Sequence, residues 1–496
     1  MSIRTVTLHS SRKTNIRTLV IANLISGLIY GFYNVLLQPL IVQTIEATGR
    51  YANPEEVLGI VMTIGSVMYI LPMVFAAKVS DKIGRKRVFL GGFLFFIIAM
   101  VLFGLTGNVS TKYPISSLSV SAKLPISVNF LHGLQTNGFP VTYALFLAIL
   151  GLSIVSLGSG FSDPPVQALT AESSERKKRA SSFSIINLAF YATGLVGPLV
   201  IRILTDRIEI WVYFYILAIL RAIMFIYQLV YLNEPLVIKD FVPNVYQQFI
   251  QSVKAIGAMF KQLFVSIFLY LAIPYYLITK RRNKDDRGKV YSEIETNMRL
   301  FGQIFRNPGV PYAIGFFILD ALTWGLSISI FWGSLVIEYN FNEGHISTLQ
   351  LVFNLSTLIF FIPVTKYSDR LKKTEMLVLS LVTGFLFFSM NIIAFFALPQ
   401  YRLYIIMIGW LGMGASVAFW VPGIQSILTD FDRKRRAEVY GMVSGLHQLG
   451  WFPTAIIAGY IISRFGFVTV FIISTILFPF NLWMAWKFPT REDEGE

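Results

Sequence analysis

The stretch Ser80-Asp81-Lys82-Ile83-Gly84-Arg85-Lys86-Arg87 joins two long apolar runs, and Ser368-Asp369-Arg370-Leu371-Lys372-Lys373 does the same much later in the chain. A second pair of loops follows the first. Gln167-Ala168-Leu169-Thr170, trailed by Glu172 and Arg176-Lys177-Lys178-Arg179-Ala180, is echoed by Gln425-Ser426-Ile427-Leu428-Thr429, trailed by Asp430 and Arg433-Lys434-Arg435-Arg436-Ala437. The two loops stand further apart in the first half, by about the length of a polar insertion at 107–141. One design used twice, with a single insertion, accounts for the chain.

The runs between these loops decide the solvent. Of 496 residues, 55% are hydrophobic and only 14% charged, against about 25% charged in a soluble chain. Twelve apolar runs lie near 18–45, 56–78, 88–106, 142–163, 182–204, 209–232, 310–337, 346–366, 375–398, 401–425, 438–463 and 467–487. Runs of about twenty residues span a hydrocarbon core of about 30 Å as helices, which satisfy their own backbone. A soluble enzyme is excluded. The first run is too long for a signal-peptide core and lacks a small-residue cleavage site, so it reads as an uncleaved span. With no cysteine, disulfides, thiolate metal sites and cysteine nucleophiles are excluded too.

The net charge of +15 is a record of topology. If both termini face the cytoplasm, 34 of the 42 Lys and Arg fall on the inner side, seven on the outer side, and Arg221 alone sits mid-span. That is the positive-inside pattern, with anionic inner-leaflet lipid as the partner of the basic loops. Nucleic acid is not needed to explain the charge. A multi-pass protein of the cell membrane, with both ends cytoplasmic, is expected.

Two segments depart from the repeat. The outer insertion is a Ser-rich polar loop that includes the sequon Asn108-Val109-Ser110, a pattern frequent by chance. The connector 233–309 carries Val242, Val245, Phe249, Val253, Ile256, Phe260 and Phe264 at helical spacing, opposite Gln247, Gln251 and Lys254. This pattern predicts an amphipathic helix lying on the membrane surface. One extra crossing in the apolar run 263–278 behind it would put every later basic loop outside, so the connector has zero crossings or two. Two would need a first helix containing Gln247, Gln248, Gln251 and Lys254, which favours zero.

Asp81-Lys82-Ile83-Gly84-Arg85-Lys86 resembles the signature loop between the second and third helices of the major facilitator superfamily. Twelve spans, a long central loop and a degenerate second copy extend the resemblance over nearly the whole chain. It implies two six-helix bundles, 1–232 and 310–496, separated by the cytoplasmic connector. In the family this loop locks the halves together on the cytoplasmic side, which implies that role for Asp81, Gly84 and Arg85, with Asp163 and Asp369 in the same gate. The physics agrees: Gly84 allows a turn with positive φ, and Arg85 can pair with a carboxylate. The second copy has Thr365, Lys372 and Lys373 at the corresponding positions and departs from the pattern. Gly194-Leu195-Val196-Gly197-Pro198 is similar to the Gly-Pro motif of proton-exchanging exporters in the same superfamily, although such residues also serve helix packing.

Within the spans, ionisable residues are rare, and each costs about 2.5–3.5 kcal/mol to insert. Asp320, Arg221 and His447 all fall about 14–15 Å from a span end. By the resemblance, Asp320 and His447 face the central cavity, whereas Arg221 belongs to an outer scaffold helix and acts as a structural charge. Trp324, Gln448, Tyr30, Tyr33, Asn34, Asn187, Asn354 and Trp420 complete the candidate site. Aromatic walls with scattered amides suit a neutral or amphiphilic organic solute. No nucleotide-binding loop, nucleophile elbow or metal-ligand spacing appears, so no cofactor, metal or enzymatic activity is expected. Uphill transport must then draw on a gradient, with protons as the candidate ion and Asp320 as the coupling residue. An uncoupled facilitator and a membrane sensor acting through the connector are the alternatives. A monomer is expected.

Overall fold

The computed structural model describes residues 3–46, 53–109, 114–120, 139–174, 179–204, 207–234, 245–279, 309–367, 371–430 and 447–488. The first half comprises α1 (Ile3–Glu46), α2 (Pro54–Ile83), α3 (Arg85–Leu105), α4 (Tyr143–Ser173), α5 (Arg179–Gly194), α6 (Val196–Leu204) and α7 (Ile210–Tyr231). After the connector helix α8 (Val245–Thr279) come α9 (Gly309–Ile328), α10 (Phe331–Tyr339), α11 (Glu343–Tyr367), α12 (Lys373–Phe396), α13 (Pro399–Asp430), α14 (Thr454–Phe465) and α15 (Val468–Trp486). Among the described residues, eleven helical stretches are long and apolar enough to cross a membrane. The remaining expected span, 438–463, begins outside the described residues and continues as α14.

Among the described residues three of the expected spans are broken, the eleventh at Phe452 and Pro453 ahead of α14. The breaks in the fifth and seventh draw a partner from the opposite half. Pro198 has no N–H to give the carbonyl of Gly194, so the fifth span parts at Leu195 into α5 and α6. The freed Gly194 oxygen accepts instead from Asn354 Nδ2 of α11, 2.7 Å away in the other half. The seventh span parts between α9 and α10, where Gln38 of α1 serves both sides. Its Nε2 donates to Ser329 O at 3.0 Å and its Oε1 accepts from Gly333 N at 2.8 Å. Each of these two gaps exposes backbone, and a side chain from the opposite half satisfies it. In an apolar solvent such groups cost several kcal/mol if left bare.

The halves touch further where α1 and α2 meet the second bundle. Thr63 Oγ1 accepts from Ile456 N at 3.1 Å, Ser463 donates to Glu56 Oε1 at 2.8 Å, and Gln43 donates to Glu343 Oε1 at 3.1 Å. These contacts seal the end that bears Glu56 and Glu343, which the charge pattern expects to be the outer one. Within the first half, α1 lies against the break between α5 and α6. A Cβ on Gly31 would stand 2.5 Å from Gly194 O and 2.8 Å from Pro198 Cδ, so only glycine permits the approach.

The insertion and the connector both differ from expectation. Part of the insertion is paired: β1 (Pro114–Val120) runs antiparallel to β2 (Phe139–Thr142), and Thr142 then caps α4 by accepting from Leu145 N at 3.2 Å. The connector helix is longer than its amphipathic segment, and its first half does not lie free on a membrane surface. Gln248 meets Lys86 at the start of α3, Met259 and Ser252 crowd Gly91, and Phe260 meets Phe95 at 5.8 Å. α8 therefore runs alongside α3 in the same direction, with Ser252, Ala255 and Met259 buried. Its apolar stripe is covered in part: Phe260 is seated on Phe95 of α3 and Phe161 of α4, whereas Val245, Val253 and Phe264 stay exposed.

Candidate functional site

The chemistry-bearing residues gather in three places. The first is the turn that opened the sequence analysis. Gly84 has φ 109°, and its N–H reaches Ser80 O at 3.0 Å, ending α2 and starting α3 in a single residue. Only glycine enters that conformation freely. Arg85 follows immediately and forms an ion pair with Glu172 at the end of α4. Lys86, which sequence reasoning passed over, is buried and holds three elements together. Its Nζ donates to Leu229 O at 2.8 Å and to Gln248 Oε1 at 2.7 Å, and its backbone N–H donates to Glu234 Oε2 at 2.9 Å. The Asp81 side chain and the whole of Asp369 lie outside the described residues.

The second place is a cavity of about 460 Å³ enclosed by helices of the first half alone. Tyr30 and Tyr33 of α1 line it, apart from Asp320 and His447 with which they were expected to form one site, and so do two residues assigned elsewhere. Asp163 is not at the gate. The helix α4 continues through Pro164 and Pro165 to Ser173, so Asp163 stays mid-helix, where Tyr69 donates to its Oδ2 at 2.6 Å. Arg221 is not a charge hidden in the scaffold, because α7 turns it into the same cavity. Its guanidinium lies 4.8 Å from the Phe96 ring and 5.3 Å from Phe93. Its Nε is buried with no hydrogen-bond acceptor, and among the described residues no carboxylate comes within ion-pair distance. The apolar faces of two rings attract the cation, but they do not neutralise it.

The third place lies within the second half. Asp320 of α9, 3% exposed, accepts from Asn481 Nδ2 of α15 at 2.9 Å through Oδ1. Its Oδ2 stands 3.6 Å from His447 Nε2, and that nitrogen already accepts from Trp451 Nε1 at 3.2 Å. A nitrogen that accepts carries no proton, so the gap between Oδ2 and Nε2 separates two acceptors. The Oδ1 atom of Asn481 is also buried with no donor. A proton on Asp320 would give this cluster the donor it lacks. His447, flanked by Phe317 at 5.3 Å and Trp420 at 6.4 Å, is more exposed than Asp320.

The other expected residues scatter. Trp324 packs on Phe388 at 4.5 Å and is core. Asn354 is fully buried on its bond to Gly194. Asn187 returns its amide to Phe183 O at 2.9 Å, within its own helix. Asn34 and Gln448 are half-buried, one turn from Tyr30 and one residue from His447. Asn108 donates to the hydroxyl of Tyr215 at 3.0 Å. Sequence reasoning missed Asn481 and Trp451. Asn481 was legible as a lone amide in an otherwise apolar span, the same signal that picked out Asp320.

The arrangement of two bundles has known counterparts. The structure resembles the xylose transporter XylE from E. coli in a partially occluded inward-open conformation, with TM-score 0.63 and 12% identity over 97% of this chain and 99% of that one. It also resembles the human organic anion transporter MFSD10, with TM-score 0.55 and 16% identity over 96% and 99%. At such identities the likeness is one of fold. No curated protein matches in sequence. The sequence model of the Major Facilitator Superfamily, however, matches residues 19–280 and 312–496. Taken with the duplicated loop and the two bundles, that match makes the chain a member of the major facilitator superfamily of membrane transporters.

Proposed function

We propose that the protein is a secondary active transporter that moves a small neutral or amphiphilic organic solute by alternating access, driven by protons through Asp320. The observation that carries this reading is the Asp320 cluster. A carboxylate deep in the bundle is expensive to insert and marks a proton or substrate path by default. Here Asn481 donates to Oδ1, whereas His447 Nε2 presents a second acceptor to Oδ2, so one proton on Oδ2 removes a contact between two acceptors. Loss of that proton restores a charge facing His447. Protonation thus changes the cost of closing the second half around this point, which is what coupling requires.

The turn at Gly84 and the Arg85–Glu172 pair act as the cytoplasmic gate in this reading, together with Asp81 and Asp369. Both termini face the cytoplasm in the cell membrane, the basic loops meet anionic lipid, and the working unit is a monomer. One structural relative is a D-xylose–proton symporter and another an organic anion transporter. What those proteins have in common is a small organic solute, which agrees with the proposal.

The test is transport in proteoliposomes. With an imposed pH gradient, the native protein should accumulate its solute. Asp320→Asn should only equilibrate it while keeping solute exchange. Accumulation by Asp320→Asn equal to native would refute the coupling role.

A further inference from the structure

The cavity in the first half is not needed for the proton chemistry, and it contains an unneutralised cation. Arg221 presents five donors on a planar fork. The rings of Phe93 and Phe96 hold that fork in place, its Nε lacks an acceptor, and no described carboxylate reaches it. A carboxylate fits a guanidinium through two parallel hydrogen bonds. Opposite Arg221, Asp163 spends Oδ2 on the Tyr69 hydroxyl and leaves Oδ1 to accept from a ligand.

We infer that this cavity is a binding site for a small organic carboxylate with a compact, largely apolar body and one hydrogen-bond donor. Size, charge and lining each narrow the class. A volume of about 460 Å³ suits a single-ring organic molecule. One guanidinium balances one negative charge, and Asp163 in the same space repels a second, which disfavours phosphate. Phe89, Phe93, Phe96 and Phe190 supply flat apolar walls, whereas Ser156 and Ser159 make the lining too polar for an acyl chain. The site lies inside one half, away from Asp320, so its occupancy does not depend on the proposed coupling.

The test uses the purified full-length protein in detergent, with thermal unfolding followed by tryptophan fluorescence. Benzoate, 4-hydroxybenzoate and benzamide are the probes. Both carboxylates should stabilise the protein saturably, 4-hydroxybenzoate more tightly, and uncharged benzamide should not. Arg221→Gln should weaken carboxylate binding by about thirtyfold or more. Asp163→Asn should abolish the advantage of the hydroxyl while sparing benzoate. Ser159→Phe keeps both charges and fills the space, so it should abolish binding even if Arg221→Gln fails to fold. Equal stabilisation by benzoate and benzamide, no saturable effect of either carboxylate, or native-like binding by Ser159→Phe would overturn the inference.

Discussion

The two halves bury opposite charges between corresponding helices and treat them differently. In the first, Arg221 on α7 faces Tyr33 on α1 across a cavity; in the second, Asp320 on α9 touches Asn481 on α15. The repeat that pairs Gly31 with Gly325 sets Asp320 opposite Ser26. The second half surrounds its charge closely with an amide, an imidazole and an indole, whereas the first leaves its charge at the edge of open space. A proton needs no room, and an organic ligand does. In the proposed reading the closely packed charge is the proton site, and the charge beside open space is the ligand site.

That contrast can be broken at several points. The largest effect is expected from Asp320→Asn, which should reduce gradient-driven accumulation in proteoliposomes to the equilibrium level. Arg221→Gln should leave the pH-gradient dependence in place, and a loss there as complete as that of Asp320→Asn would erase the distinction. Next come the paired glycines. Gly31 is hemmed in by the backbone of Gly194, and Gly325 by the buried, β-branched Thr454. Gly31→Ala and Gly325→Ala should each cost about 1–3 kcal/mol by overpacking. Unfolding temperatures check both, and an unchanged value at either would mean the helices there can move apart.

The buried charges should also differ in sign. Arg221→Met removes an unpaired cation and should stabilise the free protein by up to about 3 kcal/mol. Asp320→Ala strands Asn481 and should destabilise by about 1–3 kcal/mol. Parallel melting curves decide it, and a destabilised Arg221→Met would mean the guanidinium is already satisfied. The most local effect concerns the break in the fifth span. Asn354→Ala should cost about 1–3 kcal/mol by leaving Gly194 O bare. Pro198→Ala restores that oxygen's own donor, so a double-mutant cycle should show coupling of about 0.5–3 kcal/mol.

Much of the fold was legible because the bilayer imposes simple rules. Run length gave the spans, and the duplicated loops gave the halves. Gly84 announced its own turn, since no other residue type supplies that φ so freely. The candidate site was harder, for two physical reasons. Depth along a helix follows from counting residues, but the direction of a side chain depends on neighbours the sequence does not order. Trp324 and Arg221 were each assigned the wrong surroundings, and Asp163 was put at the end of its span although its helix continues to Ser173. The connector failed differently. Its stripe of Phe and Val specifies a greasy contact, and lipid and a helical bundle both satisfy that pattern. Only the seat formed by Phe95 and Phe161 decides between them.

The bond between Asn354 and Gly194 has a mechanical meaning. A carbonyl released by Pro198 in one bundle takes its hydrogen bond from the other, in surroundings that offer no water as a substitute. Sliding the bundles apart at that level would leave both groups bare, whereas turning one bundle on the other about this point would not. Under the proposed alternating access, the fifth and eighth spans are pinned like the rivet of a pair of scissors, with the blades on either side opening in opposite senses.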